Sequence, residues 1–154
     1  MFARSARDAE WERRSVDPKG PERPEPRLQV RVRFHGRGGQ GVKTAGRILG
    51  TAAFLDGYHC QDFPVYGAER RGAPVAAFAR IGNSPIDERG VIPDPDLIIV
   101  ADQTLLSDPA AGVLEGQQYA SAIFLNADSY QPGSLTILPQ VICRDLSQRA
   151  AARL

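Results

Sequence analysis

The chain is 154 residues long, the length of one ordinary domain, which buries roughly two thirds of its unfolded surface. Its 24% charged and 42% hydrophobic residues are near globular averages and exclude a wholly disordered chain. A formal net charge of +1, from 19 basic and 18 acidic residues, excludes a global field that recruits nucleic acid or an anionic membrane.

Residues 1–27 stand apart. Thirteen of these 27 positions are charged, and Pro18, Pro21, Pro24 and Pro26 favour extended chain. This reads as a solvated arm, with Phe2 and Trp11 as possible anchors on a partner. No apolar leader precedes it, so the expected address is the cytoplasm. The folded part is expected as a single domain over 28–154. Leu28, Val30, Val32 and Phe34 alternate with Gln29, Arg31 and Arg33, the pattern of a half-buried strand. A helix is predicted from Gln40 to Asp56, with apolar residues at Val42, Ala45, Ile48, Leu49, Ala52, Ala53 and Leu55 and Gly57 as its stop.

Further strands are predicted at Tyr58–Phe63, Val75–Ile81, Leu97–Ala101 and Tyr119–Asn126. A loop spans Val65–Pro74 and a turn-rich connection spans Gly82–Pro95. The unbroken aliphatic run at Leu97–Ala101 is expected of a strand covered on both faces, and is too short to span a membrane. Gln103–Gly116 reads as a helix broken at Pro109. Leu135–Leu138 and Val141–Cys143 are short apolar pieces, and a last helix is predicted over Leu146–Leu154. The order of elements gives an α/β fold with a Rossmann-like, mostly parallel sheet and helices on its faces.

The sharpest local signal is Gly36-x-Gly38-x-x-Gly41, placed between a strand and a helix. In that setting it is the dinucleotide fingerprint, with Gly36 in the tight turn and the helix N-terminus open to an anion. Asp62, 21 residues after Gly41, is near the spacing of the residue that meets a ribose. The same glycines equally suit a turn on which another polypeptide docks closely. A second signal is Tyr66-Gly67-Ala68-Glu69-Arg70-Arg71-Gly72-Ala73-Pro74, where Glu69 could steady an arginine fork. His35 and His59 read as structural. Asp94, Asp96 and Asp102 flank the aliphatic strand and could ligate a metal, but capping and turn formation explain them more simply. The two cysteines, Cys60 and Cys143, cannot supply the ligands of an iron–sulfur cluster by themselves.

Taken together, these blocks have a known counterpart. Gly36-Arg37-Gly38-Gly39-Gln40-Gly41-Val42 runs into Ala45-Gly46, Ile48-Leu49-Gly50 and Ala52-Ala53. Tyr66–Gly72, Arg80-Ile81 with Ser84-Pro85-Ile86, and Pro95-Asp96-Leu97 follow. In order and spacing they resemble the gamma subunit or domain of 2-oxoacid:acceptor oxidoreductases, which include the pyruvate, 2-oxoglutarate, indolepyruvate and phenylglyoxylate enzymes. The resemblance runs from about Arg31 to Asn126. It implies a non-catalytic-centre subunit of an enzyme that oxidatively decarboxylates a 2-oxoacid to an acyl-CoA. Thiamine diphosphate would then be held by alpha and beta subunits and iron–sulfur clusters mainly by a ferredoxin-like delta subunit, none by this chain alone. Gly36, Gly38, Gly39, Gln40 and Gly41 would be the family's glycine-rich turn. Tyr66, Glu69, Arg70 and Gly72 would be its second signature loop, the two together docking subunits and lining the coenzyme A approach. Ala73 stands where the family often has a further glycine, and the family's C-terminal part commonly runs longer.

Overall fold

The computed structural model describes residues 28–65, 72–129 and 140–152. Six strands form one sheet: β1 (Gln29–Arg37), β2 (His59–Pro64), β3 (Pro74–Gly82), β4 (Leu97–Val100), β5 (Ala122–Asn126) and β6 (Gln140–Arg144). Their spatial order is β2-β3-β1-β4-β5-β6. From β1 to β6 the three pairs are parallel, as expected, whereas β3 runs antiparallel to both β1 and β2. The sheet is therefore mixed. The expected arm and the apolar piece Leu135–Leu138 lie outside the described residues.

Helix α1 (Val42–Leu55) covers one face of the β1–β3 side. Gly46 and Gly50 let it lie low: a Cβ on Gly46 would touch Phe34 and Ala77, and one on Gly50 would meet the Asp62 carboxylate at 3.0 Å. Val32, Phe34, Ala77, Ala79 and Val42 form the core beneath it. The short helix α2 (Leu146–Ala151) follows β6, capped by the Asp145 side chain. None of the described helices is long and apolar enough to cross a membrane.

The opposite face carries Ile98, Val100, Ile123 and Leu125, covered by Leu105 and Val113. The broken helix predicted for 103–116 is instead a series of 3-10 turns at Gln103–Ser107 and Pro109–Ala111, with another at Gln117–Tyr119. Asp102 and Asp108 cap the first two, and Gly112 and Gly116 turn the chain at positive φ before a longer helix can propagate. Tyr119 consequently falls in a turn, and β5 starts later than its apolar pattern indicates.

β1 departs from the half-buried expectation. It is a central strand, and its third polar position is buried: Arg33 is 4% exposed. The Arg33 guanidinium donates to the carbonyls of Ile92, Gly112, Val113 and Glu115. Burial lowers its pKa, and the Glu115 carboxylate opposes that shift. Arg80, equally enclosed on β3, donates to Gln61 and Gly90, pairs with Glu88 and lies over the Phe63 ring. On this face, guanidiniums tie irregular chain to the sheet, in the expected turn-rich connection at 88–92 and at 112–115, where a helix was expected.

Arg33→Met keeps the apolar stem and strips four carbonyls of their donor, so it should destabilise the fold by about 2–3 kcal/mol. Arg31→Met removes only the half-exposed pairs with Glu88 and Asp94 and should cost less than about 1 kcal/mol. Urea unfolding of both variants checks the ranking, and equal losses would contradict the buried-clamp assignment.

Candidate functional site

At the C-terminal end of β1 the backbone closes tightly. A Cβ on Gly36 would run into the Val42 side chain and crowd Ala101 at 3.3 Å, so only glycine lets the strand turn under its own helix. Gly41 is the N-cap of α1 at φ 75°, and no side chain caps the helix. Gln40 folds back. Its Oε1 accepts the Arg37 N–H at 2.8 Å, and its Nε2 donates to Asp102 Oδ2 at 3.0 Å.

The two sequence signals meet here. Gly38 N–H donates to the Ala73 carbonyl at 2.9 Å, and Gly72 N–H returns to the Gly38 carbonyl at 3.3 Å. Arg37 binds the knot together. One of its terminal nitrogens donates to the Gly72 carbonyl at 3.0 Å and the other to Thr104 Oγ1 at 2.8 Å, while Nε pairs with Asp102 Oδ2 at 3.2 Å. A single guanidinium therefore joins the glycine-rich turn, the end of the second signature loop and the turn after β4. The Asp102 carboxyl is held below the usual carboxylate range, first by the Thr104 hydroxyl and then by Gln40 and Arg37.

Of the sequence candidates, Gly36, Gly38, Gly39, Gln40, Gly41 and Gly72 thus share one place, with Gly39, Gln40 and Gly41 exposed. Tyr66, Glu69 and Arg70 lie outside the described residues. Asp102 and Thr104 were not among the site candidates. Asp102 does cap the turn, as read from the sequence, but it also carries the Arg37 pair. The signal was there in Asp102-x-Thr104 following an aliphatic strand, because neighbouring parallel strands bring their C-terminal ends together. Asp96 accepts the Arg31 backbone N–H at 2.7 Å and Asp94 pairs with its guanidinium at 2.6 Å.

The ribose role considered for Asp62 has no geometric support. β3 stands between β1 and β2, and the Asp62 carboxylate packs toward Gly50 on α1. His59 begins an edge strand and is exposed. His35 lies near the end of β1, buried at 4% exposure, and its Nε2 has no hydrogen-bond partner. Burial, with the Arg33 charge adding to it, pushes its pKa down to about 4. A neutral, enclosed imidazole is a core group here. Beside the knot a 360 Å³ cleft opens between α1 and α2 over Phe34, Ile99 and Phe124. Asn126 braces it, accepting the Leu146 N–H at 2.8 Å and donating to the Ala101 carbonyl at 3.1 Å.

Residues 31–153 match the pyruvate ferredoxin/flavodoxin oxidoreductase family. The chain belongs to that family. It is 52% identical over 97 residues to the pyruvate synthase subunit PorC of Methanocaldococcus jannaschii, covering 63% of this chain and 53% of that one. It is 48% identical over 99 residues to the common gamma subunit of the pyruvate/ketoisovalerate oxidoreductases of Pyrococcus furiosus, covering 64% and 52%. The crystal structure of the pyruvate oxidoreductase subunit PORC from Thermotoga maritima superposes with a TM-score of 0.64 at 32% identity, covering 80% of this chain and 66% of that one. The chain spans about half the length of the curated relatives it matches.

Family membership raises the question of thiamine diphosphate and iron–sulfur clusters. Among the described residues no three His, Cys, Asp or Glu side chains gather where they could hold a metal ion. Cys60 on β2 and Cys143 on β6 stand at opposite edges of the sheet. The described residues therefore fit neither a cluster nor the divalent cation that a diphosphate needs.

His35 sets a pH dependence. Its folded pKa lies below the ordinary 6.5, so between those values the unfolded chain binds a proton that the folded chain does not. Its share of stability is intact above pH 6.5 and falls as the pH drops, by about 2 kcal/mol at pH 5 and about 3 kcal/mol at pH 4. Urea midpoints at pH 7.5 and 5.0 should converge more closely in His35→Leu than in the parent. The same acid sensitivity in both would refute the assignment.

Proposed function

We propose that this chain is the gamma component of a 2-oxoacid:acceptor oxidoreductase that decarboxylates a 2-oxoacid to an acyl-CoA in the cytoplasm. Its alpha and beta partners would hold thiamine diphosphate, and a ferredoxin-like delta partner would hold most of the iron–sulfur clusters. Residues 28–154 act as the gamma-type domain, with 1–27 as an added arm. The observation that carries this reading is the knot itself: the glycine-rich turn and the Gly72–Ala73 end of the second signature loop, two of the blocks that make the chain resemble gamma subunits, meet at Arg37.

The surface beside the knot supports a docking role. Thr44, Ala45, Ile48, Thr51, Ala52 and Leu55 form an uncharged stripe on the solvent side of α1, beside the exposed Arg47, and Ile48 and Leu55 are 65% and 79% exposed. Large aliphatic side chains exposed together on one stripe mark a contact surface. The uncapped N-terminus of α1 and the exposed Gly39–Gly41 backbone continue this surface, where a partner's acceptor or the coenzyme A path would be met. Gly36, Gly38, Gly39, Gln40, Gly41, Tyr66, Glu69, Arg70 and Gly72 are assigned to that surface. No bond-making step is assigned to them.

Anaerobic purification of the chain from its native cell, with native mass spectrometry and assays for thiamine diphosphate and iron, tests the reading. Co-purification with thiamine-binding and ferredoxin-like chains is expected. Arg37→Ala should loosen three loops at once and lower both assembly and 2-oxoacid turnover at least tenfold. A cofactor-free chain that travels alone, or one that binds a dinucleotide by itself, would overturn the proposal.

A further inference from the structure

β2 is an edge of the sheet, and no described strand pairs with its outer side. Alternation decides which backbone groups face outward. Val65 N–H donates to the Ala76 carbonyl at 3.1 Å. Stepping back by twos, His59, Gln61 and Phe63 turn their backbone groups to β3, which leaves those of Cys60 and Asp62 facing out. Edge strands in water are usually blunted by lysine, an early proline or a bulge. β2 has none of these before its last residue, Pro64. Instead it is flanked by Phe54 and Tyr58, 67% and 42% exposed, and a 540 Å³ groove lined by Phe54, Tyr58, Cys60, Ile86 and Arg89 runs beside it.

We infer that the β2 edge is a self-association surface: β2 of a second copy adds antiparallel across a two-fold axis and joins the two sheets. Register favours this occupant. Opposed residues must lie on the same face, so only pairings of equal parity are allowed. A two-fold axis at Asp62 would oppose two carboxylates, and one at Cys60 would leave Asp62 opposite Tyr58, beyond the partner strand. An axis at Gln61 sets Cys60 against Asp62 of the second copy twice over, and all four outward N–H groups find carbonyls. The same register sets the backbone of the second copy's β2 beside the groove lined by Tyr58, Cys60 and Arg89.

α1 supplies the second contact. Gly50 seats it above Asp62, and Arg47 and Phe54 lie on the same helical line as Gly50, overhanging the edge. With β2 strands about 4.8 Å apart, the two α1 helices run antiparallel at roughly 10 Å, within helix-packing range. Arg47 of each then faces the exposed Phe54 of the other, a cation–π arrangement. The inference does not rest on the oxidoreductase reading and can fail separately from it.

The test uses the full chain, purified with whatever chains it assembles with, carrying Gln61→Cys in a Cys60→Ser, Cys143→Ser background. A residue on the axis lies in a non-hydrogen-bonded pair with its own copy, at a Cα separation of about 4.5 Å that a disulfide can bridge. Mild oxidation should give an adduct of twice the chain's mass. Native mass spectrometry of the unsubstituted protein should show the chain in even copy number, and Phe54→Lys should weaken the pairing at least tenfold. A single copy per assembly, no adduct, or an adduct with a different chain would overturn the inference.

Discussion

A guanidinium taken out of water needs acceptors on every side, and meeting that need for Arg33 organises the covered face of the sheet. Its donors reach Ile92 in the connection before β4 and Gly112, Val113 and Glu115 in the turns before β5. Carbonyls inside a regular helix are already bonded along its axis and cannot all turn to one side chain. Carbonyls in 3-10 turns and glycine corners can. The irregular chain on this face is therefore matched to the buried charge on β1, and Arg80 repeats the arrangement one strand away with Gly90, Gln61 and Glu88.

Arg37, four residues further along the same strand, uses the same chemistry at the surface. It binds Gly72, Asp102 and Thr104, which belong to separate loops. Gly36 permits the close turn, while the mutual bonds of Gly38 with Gly72 and Ala73 tie the loops by backbone. The glycine-rich turn thus bonds to its own chain at Gly38 and leaves Gly39–Gly41 open beyond it. In a nucleotide-binding sheet β2 would lie beside β1. The antiparallel β3 occupies that place here, and the acidic residue at the expected spacing is directed to α1.

Much of this was legible in the sequence because the signals were local. The alternation in Leu28–Phe34, the helical spacing after Gly41, the aliphatic run at 97–101 and the glycine blocks each depend on neighbouring residues, and the described elements fall within a few residues of them. What was not legible depended on long-range partners. Arg33 reads as a solvent-facing residue until the turns of 112–115 close over it. The 103–116 stretch has apolar spacing compatible with a helix, but its capping aspartates and glycines divide it. Asp102 reads as a cap, and its pairing with Arg37 appears only when β4 lies parallel beside β1.

The surface completes the physical argument. A chain that covers its buried charges so thoroughly on one face leaves a helix with large aliphatic side chains exposed and a strand edge with free donors on the other. Neither feature is offset by anything nearby: Phe54, Ile48 and Leu55 stay exposed, and Cys60 and Asp62 offer backbone groups without a described partner. Burying the helix face and pairing the edge are separate requirements, because the solvent side of α1 points away from the sheet while β2 faces along its plane. A single second copy at the edge leaves the outer stripe of α1 open for a different chain. The geometry thus accommodates self-pairing and docking onto other subunits at once, without competition for the same residues.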